Sequence, residues 1–161
     1  MRQTNKEKRG KNTISKNNER RLKLAYGIAA FMAFWGGVLI YAFFRNINNM
    51  VMFRFFLKPA FLSTLYTPLQ TDSIWNYMFI YNLPYGLWCL SGLLLVRAIW
   101  LKNAKWRSIY SGIFIAVVMS YVILKLPGIT PGTFDMLDFV FMGFFAFMES
   151  IIFNMFIRRY V

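Results

Sequence analysis

Asp135 and Asp138 stand three residues apart, directly behind a stretch that holds Pro127, Gly128, Pro131 and Gly132. The prolines and glycines forbid helix continuity, so one helix must end near Leu126 and another must begin near Thr133 or Asp135. Asp135 then reads as an N-cap, and Asp138 completes a capping-box-like pair at the positive end of the helix dipole. The same spacing has a second reading, in which two acidic groups on one turn at the lip of a bilayer present a polar ligand site. In that reading Asp135 is the better placed cap, and Asp138, a turn deeper, has a side chain left to meet the ligand. Asn82 and Lys125 fall at a similar depth and join them as ligand-binding candidates, with Lys125 neutralising one carboxylate. A further carboxylate, Glu149, lies 11 residues beyond Asp138, which at 1.5 Å per residue is about 16 Å into the bilayer. An ionisable group there is either functional, titrating during transport, or structural, paired with Arg97 or protonated.

Other chemistries find little material. The chain has no histidine and a single cysteine, Cys89, within an apolar run, which argues against a zinc site, a histidine-based triad and an intrachain disulfide. No glycine-rich phosphate loop or nucleophile elbow is present. Two aspartates could activate water, but nothing supplies a nucleophile or a metal cage. The reading leans away from an enzyme and assigns no catalytic residue, no metal ligand and no cofactor.

The elements that must position these groups are membrane spans. Of 161 residues, 58% are hydrophobic and 20% aromatic, the mean hydropathy is +0.43, and apolar runs long enough to cross a bilayer recur. The expected fold is all-α: an integral membrane four-helix bundle with spans at about 24–44, 83–101, 106–126 and 135–157. Residues 1–23 carry nine of the nineteen cations and almost nothing apolar. They are expected to form a disordered basic tail that attracts anionic lipid, and they lack the interleaved aromatics of a nucleic-acid platform.

The first apolar run is too long for the core of a cleaved signal peptide and is expected to stay as an anchor. Its small residues Ala25, Ala29, Ala33 and Gly37 recur every four positions, a stripe suited to close helix packing within the bundle or, as the lesser reading, in a homo-oligomer. Arg54, Lys58, Pro59 and Pro68 interrupt the next apolar run, and a cation near a span centre costs about 2.5–3.5 kcal/mol. Residues 50–81 are therefore expected to lie in the interface, with Trp75, Tyr77 and Tyr81 as an aromatic belt. Asn82-Leu83-Pro84 reads as a helix entry, with a cap-like residue and a proline in the first turn.

With four spans, 15 cations fall on the side of both termini and 4 on the other, so the positive-inside rule places both termini in the cytoplasm.

The acidic repeat Asp135-x-x-Asp138 after a Gly-Thr-Phe turn, the apolar helix behind it, and Asn82-Leu83-Pro84-Tyr85 opening an earlier span resemble the VanZ-like family of small bacterial membrane proteins. The resemblance covers about half the chain, residues 76 to 150. Family members often carry a Glu and a Gln ahead of the acidic repeat and an Asn after it, where this chain has Val122, Lys125 and Met142. The resemblance implies a helical protein of the bacterial cytoplasmic membrane, a class linked in some members to glycopeptide resistance. Two functions are expected from residues and resemblance together: an accessory protein that binds a polar lipid or lipid-linked wall precursor at the outer leaflet, or a small transporter or proton-coupled element built on Glu149.

Overall fold

The computed structural model describes residues 16–45, 67, 69, 72–127 and 134–160, with the backbone alone for 156–160. The described chain is helical: α1 (Lys16–Phe44), a short α2 (Ile74–Tyr77), a π-helical turn (Met78–Asn82), α3 (Leu83–Ile99), α4 (Ala104–Ile123) and α5 (Met136–Tyr160). The short helix, the π turn and α3 run on as one rod, so four helical rods are long and apolar enough to cross a membrane. The expected all-α, four-span architecture is the one observed, and the chain is a multi-pass membrane protein.

The rod containing α3 is the centre of the bundle. It packs most extensively against α1, then α5, and least against α4. Without a hydrophobic drive between helices in lipid, close approach and interhelical hydrogen bonds must hold them, and α3 supplies both. Ser91 Oγ donates to the Ala30 carbonyl at 2.8 Å, and Trp88 Nε1 donates to the Phe34 carbonyl at 3.3 Å. Gly37 of α1 makes room for the Trp88 indole, Gly86 of α3 for the Phe145 ring, and Gly92 for the Phe114 ring; at each glycine an added Cβ would lie 2.1–2.5 Å from an aromatic atom. α4 covers Cys89 and Leu93 with Phe114, Val118, Met119 and Val122. Among the described residues Val122 is the one buried side chain along α4, and most of the others are exposed.

At one end of the rods, the basic end, lie Lys16, the α3–α4 loop and the C-terminal part of α5. There Lys102 pairs with Glu19 at 2.5 Å, and Asn103 caps α4 by accepting the Trp106 N–H at 3.2 Å. At the other, the acidic end, α1 finishes, the Ile74 rod starts, and α4 hands over to α5.

Two helix starts and one helix face differ from the sequence reading. Helix α1 begins at Lys16, so residues 16–23 are helical instead of disordered; Lys23 and Glu19, one turn apart, pair at 2.9 Å, the contact that favours a helix there. The second rod begins at Ile74, nine residues ahead of the expected entry, so Trp75, Tyr77 and Tyr81 stand on the helix that carries the second span. In the small-residue stripe, Gly37 is buried and Ala33 half-buried, but Ala25 and Ala29 are exposed. The face turned inward is set by Leu22, Tyr26, Ala30, Val38 and Tyr41, most of them bulkier than the stripe residues. The expectations for residues 1–15, for 50–66 and for the Pro-Gly turn at 128–133 lie outside the described residues.

Candidate functional site

At the acidic end the four sequence candidates, Asn82, Lys125, Asp135 and Asp138, meet in one hydrogen-bonded network. Asp135 is the N-cap of α5: its Oδ1 accepts the Leu137 N–H at 2.9 Å. Its Oδ2 accepts from Tyr77 Oη at 3.0 Å and from Asn82 Nδ2 at 2.9 Å. Asn82 Nδ2 also donates to Asp138 Oδ1 at 2.9 Å, and Lys125 Nζ donates to Asp138 Oδ2 at 3.0 Å and to Tyr85 Oη at 2.9 Å. The Lys125 ammonium lies 4.0 Å from the Tyr85 ring centroid, so that ring covers a face of the cation as well.

The π turn explains how residues from one rod reach the same carboxylate oxygen. Tyr77 and Asn82 are five apart, which on a straight α-helix sets them about 140° apart. The wider π turn, closed by the Leu83 N–H on the Met78 carbonyl, draws them onto one face. It also accommodates Pro84, which has no N–H to give and whose ring would clash with the preceding turn of an α-helix. Asn82 is thus an interior residue whose amide bridges two aspartates, not a cap. Asp138 likewise makes no reciprocal capping-box bond; its side chain is buried and committed to Lys125 and Asn82, not left over for a ligand as expected. Asp135 is the half-buried carboxylate at the rim. Burial pushes its pKa up, but the hydrogen bonds from Asn82, the Leu137 N–H and Tyr77 outweigh that and hold it below the ordinary carboxylate value.

Sequence reasoning missed Tyr77 and Tyr85 as members of this network, and Arg45 beside it. The Arg45 guanidinium lies 4.6 Å from the Tyr41 ring centroid and 4.5 Å from that of Tyr81. Tyr81 in turn stacks on Tyr77 at 4.8 Å. The signal available was the run of tyrosines at 77, 81 and 85, spaced four apart and therefore sharing a helix face. Val122 and Met142, at positions where the resembled family carries polar groups, are buried with Cys89 and Leu93 in an apolar cluster.

Toward the basic end, Arg97 and Glu149 pair as the sequence suggested. Arg97 Nη2 donates to Glu149 Oε2 at 2.9 Å and Nε donates to Oε1, a two-point fork. The guanidinium lies 3.7 Å from the Phe153 ring centroid, and that of Arg107 lies 4.5 Å from the same ring. Arg107 Nη1 also donates to the Leu101 carbonyl at 3.0 Å. Formal charges leave the two clusters one short of balance in opposite senses: Arg97 and Arg107 meet one carboxylate, Glu149, at the basic end, and Asp135 and Asp138 meet one ammonium, Lys125, at the acidic end. Comparisons of the chain with protein-family models, with curated proteins and with solved structures returned no match.

Proposed function

We propose that this chain is a small envelope protein, VanZ-like in kind, that binds the polar head of a lipid or lipid-linked wall precursor at the outer leaflet of a bacterial cytoplasmic membrane. The observation that carries the reading is the convergence of Tyr77, Asn82, Lys125 and Asp138 on a network with a half-buried carboxylate, Asp135, at its rim. Helix capping accounts for one of the bonds to Asp135, that from the Leu137 N–H; the others lie beyond what a helix start requires. The outer-leaflet assignment follows from the cation asymmetry, 15 against 4, which puts the acidic end outside. The transporter reading loses support because both oxygens of Glu149 accept from Arg97.

The reading is tested by purifying the parent chain and Asp135→Asn from native membranes and identifying the retained lipids by mass spectrometry. A species held by the parent and lost from Asp135→Asn while that variant keeps the parent's helical content supports it, and identical lipid profiles overturn it. Orientation is tested by labelling from outside. Gly132→Cys should react and Asn103→Cys should not, with the buried Cys89 contributing little background; the reverse pattern rejects the arrangement.

A further inference from the structure

The acidic network lacks donors. Both Nδ2 hydrogens of Asn82 go to carboxylate oxygens, one on Asp135 and one on Asp138. That fixes the amide orientation, because the flipped amide would set its oxygen against two anions. Asn82 Oδ1 is left buried with no hydrogen-bond partner, in a residue that is 0% exposed. A buried acceptor without a donor carries the whole desolvation penalty of its group and calls for an explanation. The network's charge has the same sign of deficit: two carboxylates face one ammonium. A second anion is the last thing such a site needs, whereas an N–H-bearing cation corrects both shortages.

Beside this donor-poor site stands a cation without a carboxylate. Arg45 covers its guanidinium with the Tyr41 and Tyr81 rings, and among the described residues it makes no ion pair. The sequence supplies no acidic residue between 46 and 71, so the adjoining segment cannot provide one. The guanidinium N–H groups are the part that grips phosphate oxygens, and among the described residues they meet no carboxylate. Arg45 is one aromatic layer from the network, since Tyr81 stacks on Tyr77 and Tyr77 Oη holds Asp135.

Resting on the lipid-binding reading above, we propose that the acidic end takes the head of an aminophospholipid, its primary ammonium donating to Asn82 Oδ1 and facing the Asp135 carboxylate while its phosphate meets Arg45. Oδ1 is fully covered, and a primary ammonium needs less room to reach it than a trimethylated one. The trimethylated head also has no N–H to give. A glycerol head offers hydroxyl donors but no positive charge.

The test reconstitutes the full chain into phosphatidylcholine vesicles doped with either phosphatidylethanolamine or phosphatidylglycerol, followed by extraction and mass spectrometry of the lipid that stays with the protein. The expected result is phosphatidylethanolamine enrichment over the vesicle of roughly tenfold, the ratio set by one charge-assisted hydrogen bond. That enrichment should fall on stepwise N-methylation of the head and be lost in Asp135→Asn and in Arg45→Gln, a variant outside the carboxylate network. Equal retention of phosphatidylglycerol, or retention unaffected by methylation, overturns the ammonium assignment. So does a sodium-dependent rise in melting temperature of the lipid-free protein, which would give the position to a metal cation. Selective retention of some other lipid, lost in Asp135→Asn, leaves the lipid-binding reading standing and removes this one; no selective lipid at all removes both.

Discussion

Removing one partner of the Arg97–Glu149 pair and then both should give a strongly non-additive cycle. Glu149 is 3% exposed and the Arg97 side chain 14%, so neither charge is solvated well enough to stand alone. Glu149→Leu strands the Arg97 guanidinium with Arg107 over the same Phe153 ring. Loss of one partner of a buried pair costs about 3–5 kcal/mol, and two like charges around one ring put this variant at the upper part of that range. Arg97→Met should cost less, because the Arg107 guanidinium remains near the ring and can swing toward Glu149. Arg97→Met combined with Glu149→Leu should return to within about 1 kcal/mol of the parent, since apolar replacement of a whole buried pair is often neutral or better. The measurement is reversible unfolding in mixed micelles, read by helical circular dichroism for all four proteins. A coupling energy below about 0.5 kcal/mol, meaning that the single losses simply add, would refute the claim that the two side chains form one energetic unit. A parent-like melt for Glu149→Leu would refute it more directly.

Other outcomes follow from the acidic end and from the packing. Asp135→Ala should destabilise by about 0.5–2 kcal/mol, and Asp135→Asn, which keeps a capping oxygen for the Leu137 N–H but loses the acceptor for Tyr77 and Asn82, should fall between Asp135→Ala and the parent. Because its neighbours hold the folded pKa of Asp135 below the ordinary value of 3.8, its contribution is complete above that value. It is lost as pH falls through the lower, folded value; melting against pH should show this acid-side loss in the parent and not in Asp135→Asn. Lys125→Met leaves Asp138 buried without its cation and should cost about 3–5 kcal/mol, with most of the loss recovered when Asp138→Asn is added; equal melting of single and double variants would argue against the pair. Gly86→Ala drives a Cβ to 2.3 Å from Phe145 Cδ2 and 3.3 Å from the Phe141 carbonyl, and should cost about 1–3 kcal/mol. At Gly92→Ala the three nearest atoms all belong to the Phe114 ring, on the helix that packs least against α3, so thermal melts should rank it the milder of the two.

The parts of the structure that were legible in the sequence are those set by solvent and charge. A bilayer demands long apolar helices, and the runs around residues 24–44, 83–101, 106–126 and 135–157 meet that demand whatever their neighbours are. The pairing of Glu149 with Arg97 was legible for a related reason: a buried carboxylate needs a partner, and Arg97 is the cation at matching depth. What the sequence hid was set by helix facing. Ala25 and Ala29 share a stripe with Gly37, yet the inward face of α1 is chosen by Tyr26, Val38 and Tyr41 and by the Trp88 indole that enters at Gly37. No single-chain periodicity encodes which neighbour arrives. In the same way, Lys16 to Lys23 reads as an unstructured tail by composition, but Glu19 gains partners on its own helix and from Lys102 in the α3–α4 loop.

Asn82-Leu83-Pro84 is the most instructive miss, because the local rule behind it is sound and a different structure satisfies it. A proline lacking an N–H is best tolerated in a first turn, which makes Asn82 look like the residue before a helix. A π turn satisfies the same proline in mid-helix: it closes Leu83 N–H on the Met78 carbonyl, five residues back, and relieves the crowding ahead of the ring. The difference decides the chemistry. A capping Asn82 would use its side-chain oxygen on its own backbone. An interior Asn82, turned toward α5 together with Tyr77, gives both amide hydrogens to Asp135 and Asp138 and leaves the oxygen without a donor. The unmet acceptor at the acidic end is therefore a product of the π turn. Replacing Pro84 with alanine, which permits a regular α-helix through residues 78–84, should rotate Tyr77 away from Asp135 and weaken lipid retention even though no residue of the network has been changed.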